Sequence, residues 1–578
     1  MIGIICIILG ISTPSFLKIE VLKYKWSWHT LGVLLVFLLY SGLTLWQGFL
    51  MGGGEYPEYF FNVDTAYYLG EAQSLLKATS YPPASLSNLG YARHYHYCTQ
   101  GMAAVVSKAT GIAVHTSFFW VVLPLLAVSI FVALQKLSKT LKMAIPLWAF
   151  YLIVLFIALI SFPQWKALCA KIETVDVELI VGYLADPQLF GHGFPMFSTH
   201  FALALSILLI NSILSFERHT QRKIYLVCFV LLVTVKSPWF AAFGSAVVLI
   251  TTYRAVNRDF SLLIYSSVVL IVSFGLEIYF SSGEAGNSIQ FFPGYYLTSL
   301  ADPQLASKYP LTTSAGYLFK GAIKSIVKWQ LLIILAIPLI VLINKKMLID
   351  DLPQLMAIVS LIIGPVLFVN TFVLVDERIS DSPFNNGNLL QVLSILNYSV
   401  RIIFAIIFNR LWRFYAYFGR QKFYYMLLIF ICIPMLHSTL LLFLFKSDYR
   451  NGHEFVDNRI IADALKEIPV ENSVLVTNDV RYPAQNFVRK NNQMQLPAIF
   501  GHQSYACNLR YEVGAFSAER RKEQQMLTYK EWQHKELNRI IENRGWTHLL
   551  IHKNYPHPED IPHEMVYENK DYAVYRLH

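Results

Sequence analysis

The stretch 223–253, which from Ile224 reads IYLVCFVLLVTVKSPWFAAFGSAVVLITTY, decides how this chain is threaded. It is too long for one ordinary membrane span, which needs about 20 apolar residues. Lys236-Ser237-Pro238 interrupts it. Proline lacks the amide a helix needs and disfavours helix at the residue before it. The reading is two half-length helices, a broken-helix hairpin that enters the bilayer from one side and returns to it. Lys236 then sits at a tip deep in the bilayer.

The positive-inside rule tests this choice against the rest of the chain. Other apolar runs fall at about 2–17, 29–51, 114–135, 143–163, 197–216, 259–281, 329–344, 353–375, 393–411 and 423–446. Short connections between them carry Lys136/Lys139/Lys142, Arg218/Arg222/Lys223, Arg254/Arg258, Lys345/Lys346 and Arg410/Arg413/Arg420/Lys422. With a returning hairpin, all of these face the cytoplasm together with Lys18, Lys23 and Lys25. With a single crossing, the last two clusters would face outside. These connections hold 17 Lys/Arg against five acids, a surplus of 12, whereas the whole chain carries +10. The basic balance is therefore a topology signal and speaks against a nucleic-acid partner.

The fold class that follows is a polytopic α-helical membrane protein, with about ten crossings plus the hairpin and a small C-terminal α/β domain. The body runs over 1–446 and the tail over 447–578. Both termini and the long loops at about 52–113, 164–196, 282–328 and 376–392 lie on the exoplasmic side. Composition agrees: 55% of the 578 residues are hydrophobic and 15% charged, against roughly 25% charged in a soluble domain. The six cysteines show no zinc spacing.

The first outer loop is the richest in chemistry. Residues 55–112 read EYPEYFFNVDTAYYLGEAQSLLKATSYPPASLSNLGYARHYHYCTQGMAAVVSKATGI. Asn62 or Asp64 caps a helix whose apolar positions include Ala66, Leu69, Ala72, Leu75 and Leu76, the pattern of a helix lying along the membrane surface. Asp64 and Glu71, seven residues apart, share a face of it. A Pro-containing turn follows, then Arg93-His94-Tyr95-His96-Tyr97, then a small-residue helix ending at Thr110-Gly111.

This order resembles the first outer loop of GT-C superfamily glycosyltransferases. The resemblance implies an integral-membrane enzyme of the bacterial inner membrane. It would move a sugar from a polyprenyl-phosphate-linked donor to a glycan, lipid or protein acceptor on the exoplasmic face. Carried over, Asp64 is the general base or metal ligand. Glu55, Glu58 or Glu71 is a second acid, and Asp64 with Glu71 is a candidate pair for a divalent cation, Mg or Mn. No adjacent Asp-Asp or Asp-Glu pair and no DxD stand in this loop.

Ionisable residues inside spans default to functional hypotheses. Lys236 at the helix break and Arg401 in the span 393–411 are candidates for the lipid phosphate. His94 and His96 are candidates for substrate contact, against the plainer reading of a packed Tyr/His segment. Two rival functions share this layout. One is an O-antigen or polysaccharide polymerase or ligase. The other is a lipid or glycolipid transporter or flippase, which the broken hairpin favours and the lack of an inverted repeat disfavours.

In the tail, 454–468 reads as an amphipathic helix, 473–479 and 496–502 as strands, and 517–544 as a long charged helix stopped at Gly545. Residues 546–553 read as a strand and 565–577 as a hairpin turning at Asn-Lys-Asp. Such alternation predicts a small, mainly parallel α/β fold, accessory to the body.

Overall fold

The computed structural model describes residues 27–38, 63–80, 83–90, 98–156, 197–281, 287–301, 315–328, 345–376, 392–415, 458–478, 496–505, 519–528 and 534–577, apart from a few positions within them. They form two compact units. One holds the helical body. The other holds the tail together with the described residues from 63 to 125, so the first outer loop folds with the tail.

That loop supplies α1 (Val63–Lys77) and α2 (Cys98–Thr110). Gly111 closes α2 at φ +75°, the left-handed cap that the Thr-Gly ending predicts. Next comes α3 (Val114–Thr140), with a π-helical turn at Phe118–Val122, and its later part belongs to the body.

The body continues with α4 (Leu147–Phe156), α5 (Phe197–Leu214), α6 (His219–Val235), α7 (Ser237–Val256) and α8 (Ser261–Ser281). Then follow β1 (Asn287–Phe291), α9 (Tyr295–Ala301), α10 (Ala315–Lys328), α11 (Lys345–Thr371), β2 (Phe372–Asp376) and α12 (Ser394–Tyr415). The expected spans at 2–17, 329–344 and 423–446 lie outside the described residues. Val114–Thr140 and Pro238–Val256 are long and apolar enough to cross a bilayer. Along α8, Ile264, Val268, Ile271, Val272 and Phe274 point outward, a face suited to lipid.

The hairpin is present, but its arms are not half-length. α6 has 17 residues and α7 has 20, about 26 and 30 Å at 1.5 Å per residue. Each is close to the full hydrocarbon thickness, so the tip does not stop at mid-depth. The arms lengthen because helix extends through the polar His219–Lys223 turn at one end and to Val256 at the other. Lys236 alone breaks the path, at φ −163° and ψ 100°, with Pro238 opening α7.

The return of the hairpin is fixed by side chains. The Arg254 guanidinium, at the end of α7, donates to the Ile213 carbonyl at the end of α5 and pairs with Asp259. Arg222 donates to the Phe216 carbonyl and stacks over Phe216 and Tyr265. Thr140 donates to Asn211, and Asn409 accepts the amides of Ala144 and Ile145. The connections near 140–146, 214–219 and 256–261 thus share one end of the body, as the charge pattern requires.

In the tail, α13 (Asn458–Leu465) covers one face of a five-stranded sheet and α14 (His534–Arg544) the other. The strands are β3 (Val474–Thr477), β4 (Gln503–Ser504), β5 (His548–His552), β6 (Glu564–Glu568) and β7 (Tyr572–Arg576), ordered β4-β3-β5-β7-β6. The sheet is mixed rather than mainly parallel, because the C-terminal hairpin adds antiparallel to β5. Residues 496–500 form a π-helical turn instead of a strand; Pro497 has no amide for a ladder. The long helix expected over 517–544 is interrupted by a 3₁₀ turn at Met526–Thr528.

Candidate functional site

α1 departs from its sequence reading in an informative way. A helix lying on a membrane shows one face to water, yet the six residues 69–74 are all buried. α2 covers α1 on one side and the 496–500 turn of the tail covers it on another. Gly70 allows the close approach: a side chain there would meet the Ser87 hydroxyl at 3.1 Å and Pro497 at 3.7 Å. Glu71 is 1% exposed, a carboxylate held inside the protein. In the same loop α1 also buries Gln73 and Ser74, α2 buries Thr99, Gln100 and Ser107, and α3 buries His115. Such polar groups are costly to bury without partners. Ser74 illustrates the satisfaction, donating to the Gly70 carbonyl and accepting the Leu86 amide.

The tail grips this loop through backbone atoms. The Ser504 amide donates to the Leu86 carbonyl at 2.8 Å, and the Leu89 amide donates to the Tyr505 carbonyl at 3.1 Å. Gln503 donates to the Ser85 and Leu86 carbonyls. Buried Arg520 donates to the carbonyls of Tyr505 and Leu89 and lies over the Tyr505 ring. Tyr505 in turn donates to Glu523, which pairs with Arg544.

A second grip lies at the end of α1. The Lys77 ammonium donates to the Gly501 carbonyl at 2.6 Å. Burial lowers the Lys77 pKa, and Glu471 works in the opposite sense. Burial also pushes His502 down to about 4, with Lys77 and His548 adding repulsion. Its Nδ1 lies 3.3 Å from the Ser473 hydroxyl.

In the body, the structure brings two predicted residues to one end. Arg401 is 3% exposed, so it does not snorkel to the interface. Its guanidinium donates to the Leu155 carbonyl of α4 at 3.0 Å. The guanidinium also lies 5.8 Å from the Tyr398 ring, and Tyr398 meets Trp239, three residues beyond half-buried Lys236. Both cations therefore stand at the end opposite the basic connections.

Asp64 is the second residue of α1; its side chain lies outside the described residues, as do His94 and His96. A single cation held by Asp64 and Glu71 fits α1 poorly. Seven residues of helix separate them by about 10.5 Å along the axis, whereas ligand oxygens converge to about 2.1 Å from Mg. Among the described residues, no three His, Cys, Asp or Glu gather as a metal site. Sequence reasoning missed Gln100, His115 and the tail's Gln503 and Arg520. Gln100 and Ala104 at helical spacing could have marked the inner face of α2; nothing local marks Arg520.

No protein-family model and no curated protein matches this chain. Among solved structures, it is similar to ArnT from Cupriavidus metallidurans, crystallised with undecaprenyl phosphate. That alignment covers 95% of this chain and 97% of that one, at 11% identity and a TM-score of 0.44.

Proposed function

We propose that the protein is a GT-C-type glycosyltransferase using a polyprenyl-phosphate-linked sugar on the exoplasmic face of a bacterial inner membrane. The observation that supports it most is the first outer loop, where α1, α2 and the start of α3 each bury polar side chains, Glu71 among them. A carboxylate is costly to bury, and a buried one in a loop marks a candidate functional group.

Transfer needs a base for the acceptor hydroxyl and a cationic environment for the departing phosphate. Asp64, on the first turn of α1, takes the proton. Within the body, Lys236, beside the positive end of α7, and Arg401 are the candidate cations for a lipid phosphate. The acceptor is a glycan, lipid or protein hydroxyl. The spacing along α1 argues against one cation shared by Asp64 and Glu71, so the role carried here for Asp64 is that of base.

The test is Asp64→Asn in the full chain. Transfer from a polyprenyl-phosphate sugar should fall by two orders of magnitude or more, the range for losing a general base, with expression and melting unchanged. Full activity in that variant would remove Asp64 from the mechanism.

A further inference from the structure

The amphipathic helix α10 has two faces with different partners. On one, Gly321 lies so close to α9 that a Cβ would come within 1.9 Å of the Leu297 carbonyl oxygen. Lys324 adds hydrogen bonds to the Leu300 and Ala301 carbonyls, at the end of α9. On the other, Phe319 is 70% and Ile323 47% exposed, one turn apart. Lys320 and Lys324 run beside them, also one turn apart and exposed.

The height of this face is set by hydrogen bonds. The Phe292 amide donates to the Thr371 carbonyl, Gly294 to the Asn370 carbonyl and Leu297 to the Asn370 side chain. α9, and α10 with it, thus sits at the C-terminal end of α11. Nearer its start, α11 lines a cavity with Arg254 and Ile213 through Met356, Ala357 and Ser360. Since Arg254 marks the basic end of the body, α10 lies at the opposite, exported end. The positive-inside rule depletes lysine there, so exposed Lys320 beside the apolar stripe of Phe319 and Ile323 calls for an anionic, partly apolar partner.

We propose that α10 docks on the outer leaflet, with Phe319 and Ile323 among the acyl chains and Lys320 against anionic phospholipid headgroups. This rests on the membrane reading and not on glycosyl transfer, so Asp64→Asn leaves it untouched. Interfacial helices of this composition gain from buried apolar area and from charge on anionic lipid.

The test uses the full chain with Phe319→Cys carrying an environment-sensitive fluorophore. It is placed in nanodiscs of phosphatidylcholine with or without phosphatidylglycerol, with brominated acyl chains as quencher. The unsubstituted chain, labelled in parallel, supplies the background from native cysteines, and Ile323→Cys replaces Phe319→Cys if the latter misfolds. Quenching should occur, and be stronger with phosphatidylglycerol. Adding Lys320→Gln should weaken partition about fivefold, in the anionic discs only, the worth of one lysine at such a surface. Lys320 is the better choice than Lys324, which also holds α9. No quenching in either composition overturns the docking; quenching that ignores both lipid charge and Lys320→Gln overturns the headgroup assignment.

Discussion

The helical body and the loop–tail unit solve opposite burial problems. The body turns large apolar side chains outward along α8, packs aromatic ones such as Trp239, Tyr225 and Phe229 inside, and brings α7 close against α11 at Gly364. The loop–tail unit turns charge outward and encloses Glu71, Arg520 and His502. Where lipid is the solvent, apolar surface gains nothing by being hidden, and helices are held by close packing. Where water is the solvent, the core is apolar, and each buried polar group marks a constraint that packing alone would not impose. Tail and first loop are one construction: Leu89 of the loop packs into the sheet core beside Tyr505 and Trp546.

The hardest way to break this contrast is at the crossing of α7 and α11. A Cβ on Gly364 would lie 2.6 Å from the Ala246 amide nitrogen, which is backbone and cannot swing aside. Gly364→Val should cost more than about 4 kcal/mol, beyond ordinary overpacking. The measurement is monodispersity and melting of the detergent-purified chain. A variant that melts like the parent would show that the helices are not held by this contact.

Next in size is Arg520→Met, which keeps the aliphatic stem and removes the donors to Leu89 and Tyr505. Leaving those carbonyls short of partners should cost about 3 kcal/mol. Hydrogen exchange should rise at 83–90 and in the tail while α5 to α8 keep their protection. Equal loss in both regions would mean that the two units do not open separately.

The difference between the units also explains what was legible in the sequence. Spans in the body follow from hydropathy, and the break at Lys236 from Pro238, because both signals are local. Its depth is not legible there, since a break says where a helix ends but not how far the polar turns beyond the apolar run stay helical. Burial of α1 on several sides was invisible because its cover, Pro497 and its neighbours, comes from more than 400 residues away. The same distance hid the grip of Arg520 on Leu89. Residues 496–500 passed for a strand because an apolar run is read alike whether it pairs in a ladder or covers a helix.

The smallest effect separates the units by acid. His502 is held neutral in the fold, its pKa pushed from 6.5 down to about 4, first by burial and then by Lys77 and His548. The unfolded chain therefore takes up the proton first as pH falls. His502 contributes its full stability above pH 6.5, and that contribution is lost across the window from 6.5 down to about 4. By pH 5 the loss is about 1–2 kcal/mol. His548, lowered by burial and by Arg576, slopes in the same sense, so the quantity to compare is the parent minus His502→Gln. Asp259, in a connection of the body, behaves differently. Hydrogen bonding from Ser261 holds its carboxyl below the usual 3.8, ahead of the attraction of Arg254. Its contribution is present above pH 3.8 and fades only below that. Acid titration followed by hydrogen exchange should therefore loosen the loop–tail unit between pH 6.5 and 4 while the Asp259 corner of the body stays closed. Simultaneous opening at both places would mean that His502 does not govern the acid response of its unit.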